Sequence, residues 1–166
     1  WVLNPGATSP THFSMFEFLG KLMGLALRSS NHLSLDLPSM LWKQLLGGSP
    51  DMSDLEMVDT SLCKSLTKLL AVEAEGVTTE ELFEDLFEEY FTTTLTDGTV
   101  VELCENGART RVTLATRREY VDLVVKARLA ESKRQADAVR RGLALVVPVG
   151  LLPLLTWREL EVHVCG

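Results

Sequence analysis

Apolar residues recur three and four apart at the start of the chain. Phe13, Phe16, Leu19, Met23, Ala26 and Leu27 share one face, so residues 11–30 are predicted as an amphipathic helix with Thr11 or Ser14 as its cap. Gly20 and Gly24 lie four apart on one side, which lets another backbone pack close. Residues 33–48 begin extended, meet Pro38 at a first helical turn and stop at Gly47 and Gly48. Residues 49–70 read as two short helices. Ser53 with Glu56 matches a capping box, and Leu62, Leu66, Leu69 and Leu70 form the apolar face of the second helix.

The period then changes. Residues 72–91 are acidic, with Leu82, Phe83, Leu86 and Phe87 still at helical spacing. From residue 90 strand formers take over, and Asp97-Gly98 and Asn106-Gly107 are hairpin turn signals. A three-stranded antiparallel meander over 90–95, 99–104 and 109–114 follows. Residues 116–147 return to a long amphipathic helical region, opened by Thr116 with Glu119. A last helix over 156–166 starts at Thr156 with Glu159. The fold class is therefore α+β: mainly helical, with one small antiparallel meander inserted between helical parts.

Composition narrows the function classes. With 46% hydrophobic and 23% charged residues, the 166-residue chain is that of a globular domain or two joined subdomains. The longest apolar stretch, 143–155, is broken by Pro148, Gly150 and Pro153, so no membrane span is expected. Three cysteines without pairing spacing point to a reducing, cytoplasmic compartment rather than a disulfide framework. The net charge of −7 is unevenly spread: residues 73–105 hold eleven acids and no Lys or Arg, whereas residues 109–141 hold ten basic residues against four acids. That asymmetry suits charge-steered contact with a partner, or two solvated faces that neutralise each other. Nucleic acid is not an expected partner, because the basic segment lacks interleaved aromatics and the chain is acidic overall.

Few residues look reactive. Cys104 falls on the second predicted strand, and none of His12, His32 and His163 lies on the meander to serve it as a base. A strand cysteine without a recognisable partner is most often a small apolar filler. A hydrolase with Cys104 as nucleophile is the competing reading, and rapid labelling of that thiol would favour it. Cys63 on a leucine-rich helix reads as packing. No cluster has metal-ligand spacing, and no cofactor is expected.

Seven stretches come in a telling order: "FLGKLMGLAL" (18–27), "LDLPSMLWKQLLG" (35–47), "LEMVDTSLCKSLTKLL" (55–70), "TDGTVVELCENG" (96–107), "RREYVDLVVKARL" (117–129), "VRRGLALVVP" (139–148) and "LTWRELEVHVCG" (155–166). The series resembles the N-lobe of HECT-type E3 ubiquitin ligases. The resemblance implies a large helical subdomain contributing residues 1–60 and 126–166, and a small α/β subdomain over 61–125. It implies a catalytic cysteine in a separate C-lobe beyond the hinge after Cys165-Gly166, so neither Cys104 nor Cys165 would be the nucleophile and the catalytic set within this chain is empty. It further implies that the small subdomain docks a ubiquitin-loaded ubiquitin-conjugating enzyme, E2, through an apolar groove. By motif, the groove residues would be Leu66, Leu70, Tyr90, Phe91, Tyr120 and Val124; each is also of a type that ordinarily fills a core. The implied partners are E2 directly, and ubiquitin and a substrate protein through the complete ligase. An inactive module that binds E2 without transfer is the alternative. Arg140, Arg141 and Gly142 read as structural, and Trp157 as a staple or core residue.

Overall fold

The computed structural model describes residues 1–166, apart from the side chain of Val149. The chain divides into two compact units, residues 1–54 with 131–166, and residues 55–130.

The first unit is helical. Helix α1 (Pro10–Ser29) is capped by Ser9, whose hydroxyl accepts from the His12 amide, with Pro10 in the first turn. The cap thus lies just before both candidates named from the sequence, because Pro10 has no amide to offer and fits the first helical position. Pro38 leads into α2 (Ser39–Leu45), and Gly47, at φ 80°, closes it in the left-handed region that glycine adopts without strain. Helix α3 (Met52–Val58) straddles the border between the units. Its first turn is held by Asp51, which accepts from the amides of Ser53 and Asp54, rather than by the Ser53–Glu56 pair. Helices α7 (Lys133–Ala144) and α8 (Trp157–Cys165) complete the unit. Thr156 and Glu159 form the capping box that their spacing predicts.

The core of this unit gathers Met23, Trp42, Leu45, Val139, Leu143, Leu160 and Val164 from α1, α2, α7 and α8. Trp42 is fully buried and its indole N–H donates to the Leu37 carbonyl at 3.1 Å, so its one polar atom is satisfied. Trp157 packs half-buried against the same cluster. Helices α1 and α7 meet through glycines. A methyl group on Gly20 would overlap the Val139 carbonyl, one on Gly24 would reach the Val146 side chain at 2.6 Å, and one on Gly142 would overlap the Glu17 carbonyl. Arg140 donates to the Leu45 carbonyl at 3.1 Å and Arg141 pairs with Glu17 at 3.0 Å, so both arginines are structural, as expected. Buried Asp54 accepts from Lys43 and Ser39, each at 2.6 Å, and from the Asp51 amide at 2.9 Å.

The second unit combines helices with a small sheet. Helix α4 (Thr60–Ala71) is capped by Asp59 and α5 (Glu80–Leu86) by Thr79. Strands β1 (Thr92–Thr94) and β2 (Val100–Glu102) pair antiparallel about the Asp97-Gly98 turn, with Thr93 opposite Val101. Helix α6 (Arg117–Ala130) closes the unit. Val72, Phe83, Val112 and Val124 are fully buried here.

The α+β class is confirmed, with three local corrections. The meander has two strands, not three. The third segment is reduced to a single bridge, Tyr90 to Arg111, because Asn106-Gly107 opens a 3₁₀ turn (Gly107–Arg109) instead of a tight hairpin. Gly107 is pressed against the Phe91 carbonyl, where a Cβ has no room. The acidic segment forms a shorter helix than its periodicity suggests, with turns over 72–76. The long helical region breaks at Ser132, which has φ −105° and ψ 17° and donates its hydroxyl to the Leu3 carbonyl. Among the described residues no helix is long and apolar enough to cross a membrane.

Candidate functional site

The second unit carries a groove of about 840 Å³. One wall is α4. Leu62, Leu66 and Leu69 face it at helical spacing, with Ser61, Ser65 and Lys68 beside them. The other wall is the segment 92–96, and Phe87, Glu89 and Tyr120 complete the lining. The helix wall exists because Asp59 caps α4: its Oδ1 accepts from the Leu62 amide at 2.9 Å, while its Oδ2 binds Arg128 at 3.1 Å. One carboxylate thereby starts the helix and ties it to α6.

Tyr120 is the hinge of the site's chemistry. Its ring meets Phe91 edge-to-face, with centroids 5.7 Å apart, and its hydroxyl donates to the Thr92 carbonyl at 3.4 Å. Burial, with the Glu89 carboxylate beside it, pushes its phenol up to about 12. At neutral pH it is therefore a neutral donor at the floor of the groove.

The six residues named by motif separate into three groups. Leu66 and Tyr120 line the groove, although each is at most 7% exposed. Phe91, at 4% exposure, and Val124, at 0%, lie in the core. Phe91 acts on the groove through its ring contact with Tyr120. Leu70, 38% exposed, and Tyr90, 37% exposed, are outside the lining. The charged first turn of α6 suggests a partly exposed Tyr120; the ring instead turns inward to Phe91. Leu62 was legible from the leucine period. Phe87 was legible only as a helix-face residue, and it lies just past the end of α5 in extended backbone. The Asp59–Arg128 pair joins positions 69 apart in sequence, and no local pattern signals it.

Of the three cysteines, Cys63 is buried, Cys165 half-buried and Cys104 exposed. Cys104 is exposed in the turn after β2, and its carbonyl accepts from the Gly107 amide. Burial raises the thiol of Cys63. Burial likewise raises that of Cys165, whose Sγ donates to the Leu35 carbonyl at 3.5 Å. The groove is lined by apolar residues interleaved with hydroxyls.

The model of the HECT-domain (ubiquitin-transferase) family matches residues 2–166. The chain is 43% identical over its whole length to E3 ubiquitin-protein ligase HERC2 of Mus musculus, and equally to that of Homo sapiens, covering 3% of each. It is 30% identical, over 99% of its length, to E3 ubiquitin-protein ligase RSP5 of Chaetomium thermophilum, of which it covers 20%. The chain thus spans a small part of these relatives' length. With a family match across nearly every residue, the chain belongs to the HECT-domain family.

Proposed function

We propose that this chain is the part of a HECT ubiquitin ligase that receives a ubiquitin-loaded E2, and that the groove between α4 and residues 92–96 is where the E2 docks. The groove is the observation that carries the reading: an open channel with an apolar floor, in a chain of a ubiquitin-transferase family. In the complete ligase, ubiquitin would pass from the E2 cysteine to a cysteine outside these residues and then to a substrate lysine. Each step is an acyl transfer, the first from thioester to thiolate and the second from thioester to amine. This chain's share is positioning. Leu66 on the α4 wall and Tyr120 opposite line the groove, Phe91 packs edge-to-face on Tyr120, and Leu70, Tyr90 and Val124 are assigned to the docking set by motif. The acidic residues of 73–105 steer a basic E2 surface towards it in a cytoplasmic setting.

Leu62 and Phe87 are half-buried groove residues and suit the test best. Titrating the chain with an E2 should show binding that falls about tenfold for Leu62→Ala or Phe87→Ala, since apolar anchors at an interface commonly contribute ~1.4 kcal/mol or more. Unchanged binding in both folded variants would remove the groove from the docking role.

A further inference from the structure

The groove takes part of its lining from α4 and part from α6, and one carboxylate ties the two helices. Every polar atom of Asp59 is engaged. Its amide donates to the Leu55 carbonyl at 2.8 Å, and its carbonyl accepts from the Cys63 amide at 3.2 Å. Its Oδ1 accepts from the Leu62 amide at 2.9 Å, and its Oδ2 from the Arg128 guanidinium at 3.1 Å. Asp59 and Arg128 both line the groove. The Arg128 side chain is 7% exposed, so the pair lies where water and salt screen it least. On α6, Arg128, Val124 and Tyr120 share one face at four-residue spacing. On α4, Leu62, Leu66 and Leu69 follow Asp59 at spacings of three and four. Tyr120 therefore lies about 12 Å along α6 from Arg128, and Leu66 about 10 Å along α4 from Asp59. A shift at the pair is carried along each helix, as along a lever, to the side chains of the groove.

We propose that Asp59 is a positioning residue for E2 docking: by binding the Leu62 amide and the Arg128 guanidinium at once, it sets where Leu62 and Leu66 stand relative to Tyr120. This rests on the E2-docking reading and adds the group that holds the site in shape. The role needs two acceptors on one short side chain, one for each helix. Aspartate has them. Asparagine has one, and its amide group would face the guanidinium as a second donor.

That difference supplies the test. Asp59→Asn keeps a good helix cap, so α4 starts where it did, and loses the tie to α6. E2 binding by the folded chain should weaken about tenfold, chiefly through faster dissociation. A buried guanidinium deprived of its carboxylate also lowers stability, so the companion variant is Asp59→Asn with Arg128→Met, which removes that charge. The double variant should regain much of the unfolding midpoint and still bind E2 about tenfold more weakly than the parent. Arg128→Lys, which keeps an ion pair with Asp59, should bind within about threefold of the parent. Arg128→Met alone makes the same cut from the α6 side and leaves the cap untouched; it carries the decision if Asp59→Asn does not fold. Binding that recovers together with the midpoint, or binding within about twofold of the parent in whichever single variant is folded, would make Asp59 a stabilising residue only. That result would overturn the positioning role and leave groove docking in place. Unchanged E2 binding in both Leu62→Ala and Phe87→Ala would remove the docking reading, and this inference with it.

Discussion

Gly142 sits against the backbone carbonyl of Glu17, so closely that a Cβ at position 142 would overlap it. The contact is reciprocated on α1, where Gly20 lies against the Val139 carbonyl and its hypothetical Cβ would stand 2.7 Å from the Leu143 amide nitrogen. Both obstacles are backbone and cannot swing aside. Gly142→Ala or Gly20→Ala should therefore cost about 3 kcal/mol, at the upper end for overpacking. A urea melt of each variant checks this; a midpoint within error of the parent would mean that the helices can separate freely.

Phe91 and Tyr120 share an edge-to-face contact, yet they should respond differently to truncation. Phe91 is a core residue, and Phe91→Ala should cost about 3–5 kcal/mol of stability. Tyr120→Phe keeps the ring and deletes the bond to Thr92, so stability should change by no more than about 1.5 kcal/mol. Thermal unfolding of the two variants side by side provides the check.

Asp54 gives the first unit an acid-sensitive point. Burial would raise its carboxyl, but the bonds from Lys43, Ser39 and the Asp51 amide outweigh it and hold the group below the ordinary aspartate value. A depressed folded value means that the contribution is present above the unfolded value and is lost as pH falls through the folded one. Unfolding measured from pH 7 downward should show this contribution disappearing below about pH 4. Asp54→Asn should be less stable than the parent at pH 7, with the two curves converging in acid. A gap that stays constant down to pH 2 would show that the carboxylate charge is irrelevant.

The eleven acids of residues 73–105 should govern the rate of encounter with E2 more than its affinity. Glu84, Glu88 and Glu89 are all exposed. Replacing the three with glutamine should slow association several-fold at low salt, and the difference should shrink as salt is added. Stopped-flow association at two ionic strengths reads both quantities; a salt-independent effect would point to direct contact instead of steering.

Cys104 is exposed and has no histidine in its own unit, since His12, His32 and His163 all belong to the other. Incubation with E1, E2 and ubiquitin should leave no thiol-sensitive adduct on this chain. An adduct abolished by Cys104→Ser would make that cysteine the acceptor.

Local periodicity carried much of this architecture into view. The leucines of α4, the face of α1 and the Thr156–Glu159 box are governed by neighbours within four positions, where spacing and structure have a direct relation. What periodicity hid was decided at longer range. Gly107, at the start of a 3₁₀ turn, lies against the Phe91 carbonyl sixteen positions earlier, and Ser132 left helical geometry while bonding Leu3. In the groove, the α4 wall was readable from its leucines. The strand wall was not, because which residues of β1 pair with β2 depends on register. Likewise Phe91 and Tyr120 look alike in sequence, and only packing makes one a support and the other a lining residue.

The tight seam between α1 and α7 also sets an order of events during synthesis. Its two halves are drawn from the beginning and the end of the chain, with residues 55–130 between them. On the ribosome, the inner unit is complete before α7 exists, so it can fold while α1 still waits with Met23 and Ala26 unburied. Until residues 131–166 emerge, that core lacks the apolar faces of α7 and α8. A pause after residue 130 would leave the inner unit finished and the core shared by α1, α2, α7 and α8 unfinished.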